Sequence, residues 1–127
     1  MKLDAIGIVA EDLDRSIAFY RLLGLEFSRA PGMDHCEAKT AGGLRVMLDS
    51  EALIKKLVTG WERQRGNAMV LAFDCGSPAQ VDATYQAMLA AGHRSKVTPW
   101  DAFWGQRYAC VLDPDGNQVD LFAALPH

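Results

Sequence analysis

The chain has 127 residues, half of them apolar and 23% charged, and this composition indicates a globular domain with a hydrophobic core rather than a disordered segment. Acids and bases are mixed along the chain to a formal net charge of −3, which argues against a basic nucleic-acid track and against an acidic tail. No apolar stretch approaches membrane-spanning length, and the first residues lack the apolar run of a signal peptide, so we expect a soluble protein.

The first half of the chain predicts a strand, a helix and three further strands. Residues 5–10 are typical of a buried strand, and Asp12 is expected to cap the following helix because its short carboxylate can accept bonds from free helix-end amides. Apolar residues then recur at helical spacing as far as Gly24, which is expected to end the helix. Further strands are predicted near residues 25–29, 35–40 and 44–49.

The second half predicts the same order of elements after a connecting helix over residues 50–61. A strand over 68–74 leads to Ser77 and Pro78, which suit the cap and the first position of a helix. Gly92 is expected to end that helix. Strands are predicted near residues 94–98, 106–112 and 118–122.

The two halves also align in register. A shift of 68 places Leu13 on Val81 and Gly24 on Gly92, and a shift of 73 superimposes the two closing strands. Different shifts in different segments mean different loop lengths, which a duplicated fold tolerates. We therefore predict one α+β domain over residues 1–127, made of two tandem β-α-β-β-β modules. The expected parts are module one at about 1–50, a linker helix at about 50–61 and module two at about 66–123.

Two stretches carry a family resemblance. Residues 8–25 (IVAEDLDRSIAFYRLLGL) resemble the first-module signature of the vicinal-oxygen-chelate superfamily, and residues 111–121 (VLDPDGNQVDL) resemble its closing hairpin. That superfamily includes glyoxalase I, extradiol dioxygenases and the bleomycin-resistance proteins. The resemblance covers nearly the whole chain and implies a curved mixed sheet around a cleft, but one fold hosts many chemistries.

The resemblance implies a specific metal site, which can be tested position by position. In the metalloenzymes of the superfamily, four side chains from the first and last strands of each module, typically His and Glu, bind one divalent metal. The corresponding places here hold Ala5, Met47, Ala68 and Asp120. Alanine has no donor atom, and a methionine thioether is unsuited to such metals. We therefore expect no metal and no other cofactor.

The segment from Pro99 to Arg107 is the most unusual in the sequence, because Trp100, Phe103 and Trp104 place three aromatic rings within five residues. We predict a loop between two strands that closes the cleft over a ligand, since flat aromatic faces stack on planar or cationic molecules. The resemblance agrees, because bleomycin-resistance proteins hold a drug with aromatic side chains around a cleft. The alternative is that one or two of these rings only cover the edge of the core.

Other polar residues have two interpretations each. His35 and Glu37 share a strand face, where they line the cleft or form an exposed pair, and a metal interpretation lacks a third ligand. Arg45 shares a face with Met47 and either binds an anion in the cleft or points into water. For Arg107, too, the sequence does not decide which face of the sheet the side chain occupies.

The sequence thus favours a metal-free binding protein for a small planar or cationic molecule, such as an antibiotic or a metabolite that is sequestered. The expected ligand contacts are Trp100, Phe103, Trp104, Met47, Asp120, Arg45 and His35. The alternative is a lyase, isomerase or dioxygenase-like enzyme of the same superfamily that uses Asp120 as acid or base, or a shifted metal site. A structural or regulatory dimer with an unused cleft is the third class.

Two expectations concern assembly and location. Open curved sheets have exposed edges that are usually paired or covered, so we expect a homodimer, with the modules pairing either within a chain or across the dimer. No membrane or nucleic-acid partner is expected.

The three cysteines, Cys36, Cys75 and Cys110, are far apart and form no CxxC pair, which favours a reduced cytoplasm over a disulfide framework.

Overall fold

The computed structural model describes residues 1–64 and 68–127, and the predicted start of module two at residue 66 lies outside them. The chain divides into two compact units, Met1–Arg65 (unit 1) and Gly66–His127 (unit 2). The described residues include three helices and two mixed sheets, one of three strands and one of four, so the predicted α+β class is confirmed. No helix among them has the length and apolar character needed to span a bilayer.

Unit 1 consists of β1 (Ala5–Ala10), α1 (Leu13–Arg21), β2 (His35–Lys39), β3 (Arg45–Ser50) and α2 (Glu51–Leu57). Its sheet has the order β1-β3-β2, in which β1 runs parallel and β2 antiparallel to β3. Asp12 caps α1 as predicted, because its carboxylate accepts a bond of 3.2 Å from the amide of Arg15. Gly24 adopts φ +88° just after the helix, a conformation that favours glycine.

The strand predicted over residues 25–29 does not form. A single antiparallel bridge joins Ser28 to Glu37, and no ladder continues from it. The reason lies in the next residues, where Met33 donates to the carbonyl of Ala30 and Gly32 has φ +76°. This tight turn redirects the chain before a second pair can form.

The connecting helix is shorter than predicted. It begins after Ser50, whose hydroxyl accepts from the amide of Leu53 at 3.0 Å, and it ends at Leu57 rather than at residue 61. Val58 is already extended, and Gly60 has φ +75°. Two β-branched residues, Val58 and Thr59, followed by Gly60 explain the early end, because all three have weak helix propensity.

Unit 2 consists of β4 (Val70–Asp74), α3 (Pro78–Ala90), β5 (Arg94–Ala102), β6 (Gln106–Leu112) and β7 (Gln118–Ala124), with the sheet order β4-β7-β6-β5. Ser77 caps α3 as predicted, and Pro78 occupies its first turn. The turn between β6 and β7 is built on Asp113, whose Oδ1 accepts from the amides of Asp115 and Asn117 at 2.9 Å each. The first and last strands of each unit are parallel neighbours, and the last strand is antiparallel to the one before it.

The aromatic segment differs from the predicted loop. Strand β5 continues to Ala102 rather than ending near residue 98, with register shifts between Ser95 and Val97 and between Val97 and Trp100. Pro99 is tolerated because β5 is an edge strand. Trp100 is therefore a strand residue, and only residues 103–105 form the turn before β6.

Each sheet has one face packed against a helix and one open face. In unit 1 the packed face includes Val46 and Leu48, both at most 4% exposed. In unit 2 it includes Val119 and Leu121, both at 0%, with Val81 and Met88 of α3 also fully buried. Because side chains alternate along a strand, the residues between them lie on the open face. Those open faces carry the candidate site residues.

Candidate functional site

The open face of unit 2 places aromatic and acidic residues on neighbouring strands. Tyr108 of β6 stands opposite Trp100 of β5 on one side and Phe122 of β7 on the other. Asp120 lies two residues before Phe122 and therefore on the same face. We call Trp100, Phe103, Trp104, Tyr108 and Asp120 the aromatic face.

Trp104 is the central ring of the aromatic face. Its ring centroid lies 5.6 Å from that of Trp100, 5.0 Å from that of Phe103 and 5.4 Å from that of Tyr108. All three pairs are edge-to-face, a favourable arrangement for aromatic rings. The rings nevertheless remain open to solvent, with Phe103 91% and Trp104 47% exposed. A contiguous exposed aromatic patch of this kind is typical of a binding surface.

A polar pair adjoins the rings. The Tyr108 hydroxyl donates to Oδ1 of Asp120 at 3.0 Å. Burial, and next the bond to Asp120, raise the pKa of Tyr108 well above its usual value. The phenol therefore stays protonated at neutral pH and remains a hydrogen-bond donor. The pair offers a carboxylate that is held in place beside an apolar surface.

Cys110 lies opposite Asp120 in the register but does not add a nucleophile. Its side chain is fully buried, and burial raises the pKa of the thiol. Gln118 donates its amide to the sulfur at 3.6 Å. Because the thiolate is the reactive form of cysteine, this residue is held inert.

The open face of unit 1 carries a run of charged contacts instead of rings. Nδ1 of His35 lies 2.5 Å from Oδ1 of Asp49, and its Nε2 lies 2.8 Å from Oε2 of Glu37. Arg45 donates to Glu37 at 2.6 Å and to Asp4 at 2.8 Å. We call these five residues the charge chain. Arg45 thus lies on the open face, but its guanidinium is already hydrogen-bonded to two carboxylates, those of Glu37 and Asp4.

The contacts of the charge chain shift the pKa values of His35, Glu37 and Asp4. Hydrogen bonds to Asp49 and then to Glu37 raise the pKa of His35, while the guanidinium of Arg45 lowers the pKa of Glu37 and of Asp4. The imidazolium form of His35 is therefore favoured. Because an imidazolium donates from both nitrogens, it has no lone pair for a metal.

Strand register corrects one position of the family metal site. Ala5 pairs with Arg45 in unit 1, and Val70 pairs with Gln118 in unit 2. Since Arg45 and Gln118 are equivalent under the shift of 73, the counterpart of Ala5 is Val70. Ala68, which was chosen from the sequence, lies before β4.

The corrected positions do not fit a divalent metal. Ala5, Met47 and Val70 supply no hard donor atom, and the one carboxylate, Asp120, accepts from Tyr108. The methyl group of Met47 instead lies over Gly7, 3.5 Å from where a Cβ would stand. Within residues 1–64 and 68–127, no group of three His, Cys, Asp or Glu side chains is placed to hold a metal ion.

The predicted site residues thus fall into two sets. Unit 1 holds His35, Arg45 and Met47 on its open face, and unit 2 holds Trp100, Phe103, Trp104 and Asp120 on the aromatic face. Arg107 lies elsewhere, bonded to Asp82 of α3 at 3.0 Å and to Asp101 at 3.1 Å.

Sequence reasoning missed Tyr108 and Asp49. Tyr108 links the rings to Asp120, and Asp49 anchors His35 at one end of the charge chain. Alternation along β6 and β3 would have placed both residues on open faces, but their partners become visible only with the strand register.

The fold and the sequence agree on the class of protein. A sequence model of the glyoxalase/bleomycin resistance protein/dioxygenase superfamily matches residues 2–121. The chain belongs to this superfamily. No curated protein matches the chain in sequence.

Solved structures show the same fold across nearly the whole chain. A glyoxalase/bleomycin resistance protein/dioxygenase family enzyme from Burkholderia phytofirmans is 22% identical, with a TM-score of 0.83 over 98% of this chain and 100% of its own. A glyoxalase/bleomycin resistance protein/dioxygenase from Nocardioides is 27% identical, with a TM-score of 0.74 over 98% of this chain and 84% of its own. A hypothetical protein from S. aureus is 18% identical, with a TM-score of 0.83 over 98% of this chain and 95% of its own.

Proposed function

We propose that this chain is a binding protein of the glyoxalase/bleomycin-resistance type that sequesters a planar or cationic small molecule without a metal. Its mechanism is mass action, since tight binding lowers the concentration of free ligand without chemistry. An antibiotic or a metabolite toxic to the cell is the kind of ligand that fits this function.

One observation carries the proposal. Three exposed aromatic rings, joined edge to face through Trp104, adjoin a carboxylate that Tyr108 holds in place. Aromatic faces attract planar molecules and cations, and the carboxylate favours a positive charge or a hydrogen-bond donor at one edge of the ligand. The residues at the metal positions of the superfamily support the same function, because they leave a metal-dependent enzyme without its ligands.

Calorimetric titration with a planar aromatic cation such as 9-aminoacridine tests this proposal. We expect saturable binding that Trp104→Ala weakens strongly while the protein remains folded. Arg107→Gln serves as a matched control, because Arg107 bonds to Asp82 and Asp101 rather than joining the aromatic face. Equal affinities for the parent and Trp104→Ala would contradict the proposal.

The contact between Tyr108 and Asp120 favours a second candidate, an enzyme that uses Asp120 as a general acid or base. The two candidates differ in what Asp120→Asn does, since the substitution keeps the shape but removes the charge. A binding protein would lose only a few-fold in affinity, whereas an enzyme would keep its affinity for substrate and lose turnover by about 100-fold or more. Titration and product analysis on one set of samples separate them.

Assembly as a homodimer in the cytoplasm completes the proposal. Each sheet ends in edge strands whose backbone groups are stabilised by pairing or covering. All three cysteines carry free thiols, which suits a reducing compartment. Sedimentation at micromolar concentration tests the dimer, and a single monomeric species would contradict it.

A further inference from the structure

A groove lies on the helix side of unit 1, away from its open face. It has a volume of about 520 Å³ and runs between α1 and residues 27–32. Ile17 and Phe27, both buried, form its floor, and Ala18 and Pro31 form its walls. No position of the superfamily metal site belongs to it.

The groove lies beside the segment of unit 1 in which the predicted strand over residues 25–29 does not form. In unit 2 the corresponding segment is β5, which pairs with β6 from Arg94 to Ala102. In unit 1 only the bridge between Ser28 and Glu37 remains. Because Glu37 lies on the open face, Ser28 does too, and its neighbours Phe27 and Arg29 point towards α1.

Arg29 presents a fixed positive charge at the rim. Its Nη1 donates to Asp14 at 2.7 Å, and its Nε donates to the carbonyl of Met33 at 2.9 Å. Its Nη2 makes no hydrogen bond within the part of the chain that the structure describes, and the side chain is only 26% exposed. A guanidinium held at two of its nitrogens loses little entropy when the third binds an anion.

Arg21 supplies a second charge at the same rim. Its Nε lies 3.6 Å from Glu26, beyond hydrogen-bonding distance, and its side chain is 54% exposed. An exposed ion pair without a hydrogen bond contributes little, so Arg21 can exchange Glu26 for an anionic ligand. The charged residues that line the groove are two arginines and one carboxylate, Asp14, while Glu26 pairs with Arg21 from outside the lining.

We propose that this groove binds a monoanionic amphiphile, meaning a carboxylate or sulfonate on an aromatic or short aliphatic body. Nη2 of Arg29 and the guanidinium of Arg21 take the anionic group, and Ile17 and Phe27 take the apolar body. The volume lies in the usual range for small-molecule sites, about 300–1,000 Å³. This site stands apart from the proposed function, and either can fail without the other.

A matched pair of probes tests the site. 2-Naphthoate carries one negative charge at neutral pH, and 2-naphthamide has the same rings without it. We expect backbone amide NMR shifts on adding naphthoate to centre on residues 14–32, with at least tenfold weaker binding of the amide, since a charge-assisted hydrogen bond contributes about that factor. Shifts confined to residues 100–108 would overturn the proposal.

Variants assign the binding to the named groups. Arg29→Gln should weaken naphthoate binding about tenfold, whereas Arg15→Gln, which removes the same charge from the exposed side of α1, should not change it. Because Arg29 also bonds to Asp14, Ala18→Trp provides a second test by filling the groove from an exposed position. Unchanged binding in Ala18→Trp, or equal losses in the two arginine variants, would overturn the site.

Discussion

The two units share a backbone pattern and differ in what their open faces carry. Both pair the first strand in parallel with the last and bury β-branched and leucine side chains against a helix. On the open side, unit 1 has the charge chain and unit 2 has the aromatic face. A core must fill its space in every copy of a duplicated fold, but an open face has no such constraint. The side chains of the two open faces can therefore differ while those of the two packed faces stay alike.

The largest expected effect concerns the shared side. Leu48 and Leu121 are equivalent under the shift of 73, and both are fully buried. Replacing either by alanine should lower the free energy of unfolding by about 3 kcal/mol, through lost burial and the cavity left behind. Urea denaturation of both variants measures this. A loss in one unit several times that in the other would break the equivalence of the two packed faces.

The second largest expected effect is a loss of ligand affinity that distinguishes the open face of unit 2 from that of unit 1. Trp104→Ala should weaken binding of a planar cation about thirty-fold, or about 2 kcal/mol, because Trp104 contacts the other three rings of the aromatic face. The free energy of unfolding of this variant should fall by less than that of Leu48→Ala, since Trp104 is half exposed but makes three ring contacts. Calorimetry and urea denaturation report the two quantities.

Met47→Ala in unit 1 is the comparison for Trp104→Ala. If Met47→Ala weakens binding as much as Trp104→Ala does, the aromatic face is not the main ligand surface.

The smallest effect is a pH dependence specific to unit 1. The pKa of His35 is raised above its ordinary value of about 6.5, so its contacts stabilise the fold fully below that pH and lose their effect as pH rises through the raised value. Glu37, whose pKa is lowered, contributes above its ordinary range and loses this contribution on acidification. The melting temperature of the parent should therefore fall from pH 6 towards pH 9.

His35→Gln should flatten this fall by a few degrees or less, because the side chain of His35 is 37% exposed and water screens its contacts. His127→Gln, at the exposed end of the chain, is the control. The same slope in all three proteins would show that the charge chain contributes nothing measurable.

The features predicted correctly from sequence are those set by a few adjacent residues. Asp12 and Ser77 cap their helices through bonds to amides three residues away, and Gly24 and Gly92 adopt positive φ. Apolar periodicity and these caps and turns predicted the order of the elements apart from the strand at 25–29, and the family resemblance agreed with that order.

The features that were wrong or missed depend on contacts between distant strands. The segment at 25–29 has the pattern of a strand but makes one bridge, because the turn at Ala30–Met33 ends its pairing. Tyr108 gains its role only through a register that sets it beside Asp120. No local pattern reveals such a partner.

The position of Trp104 also gives the protein an optical signal of its own. Two of the three tryptophans of the chain, Trp100 and Trp104, lie on the aromatic face with ring centroids 5.6 Å apart. Indole dominates near-ultraviolet absorption and emission, so the fluorescence and near-ultraviolet dichroism of this protein are weighted towards one turn and one strand. Opening of the turn at 103–105 would change both signals while the packed faces stay intact, and so local fraying can be observed without any label.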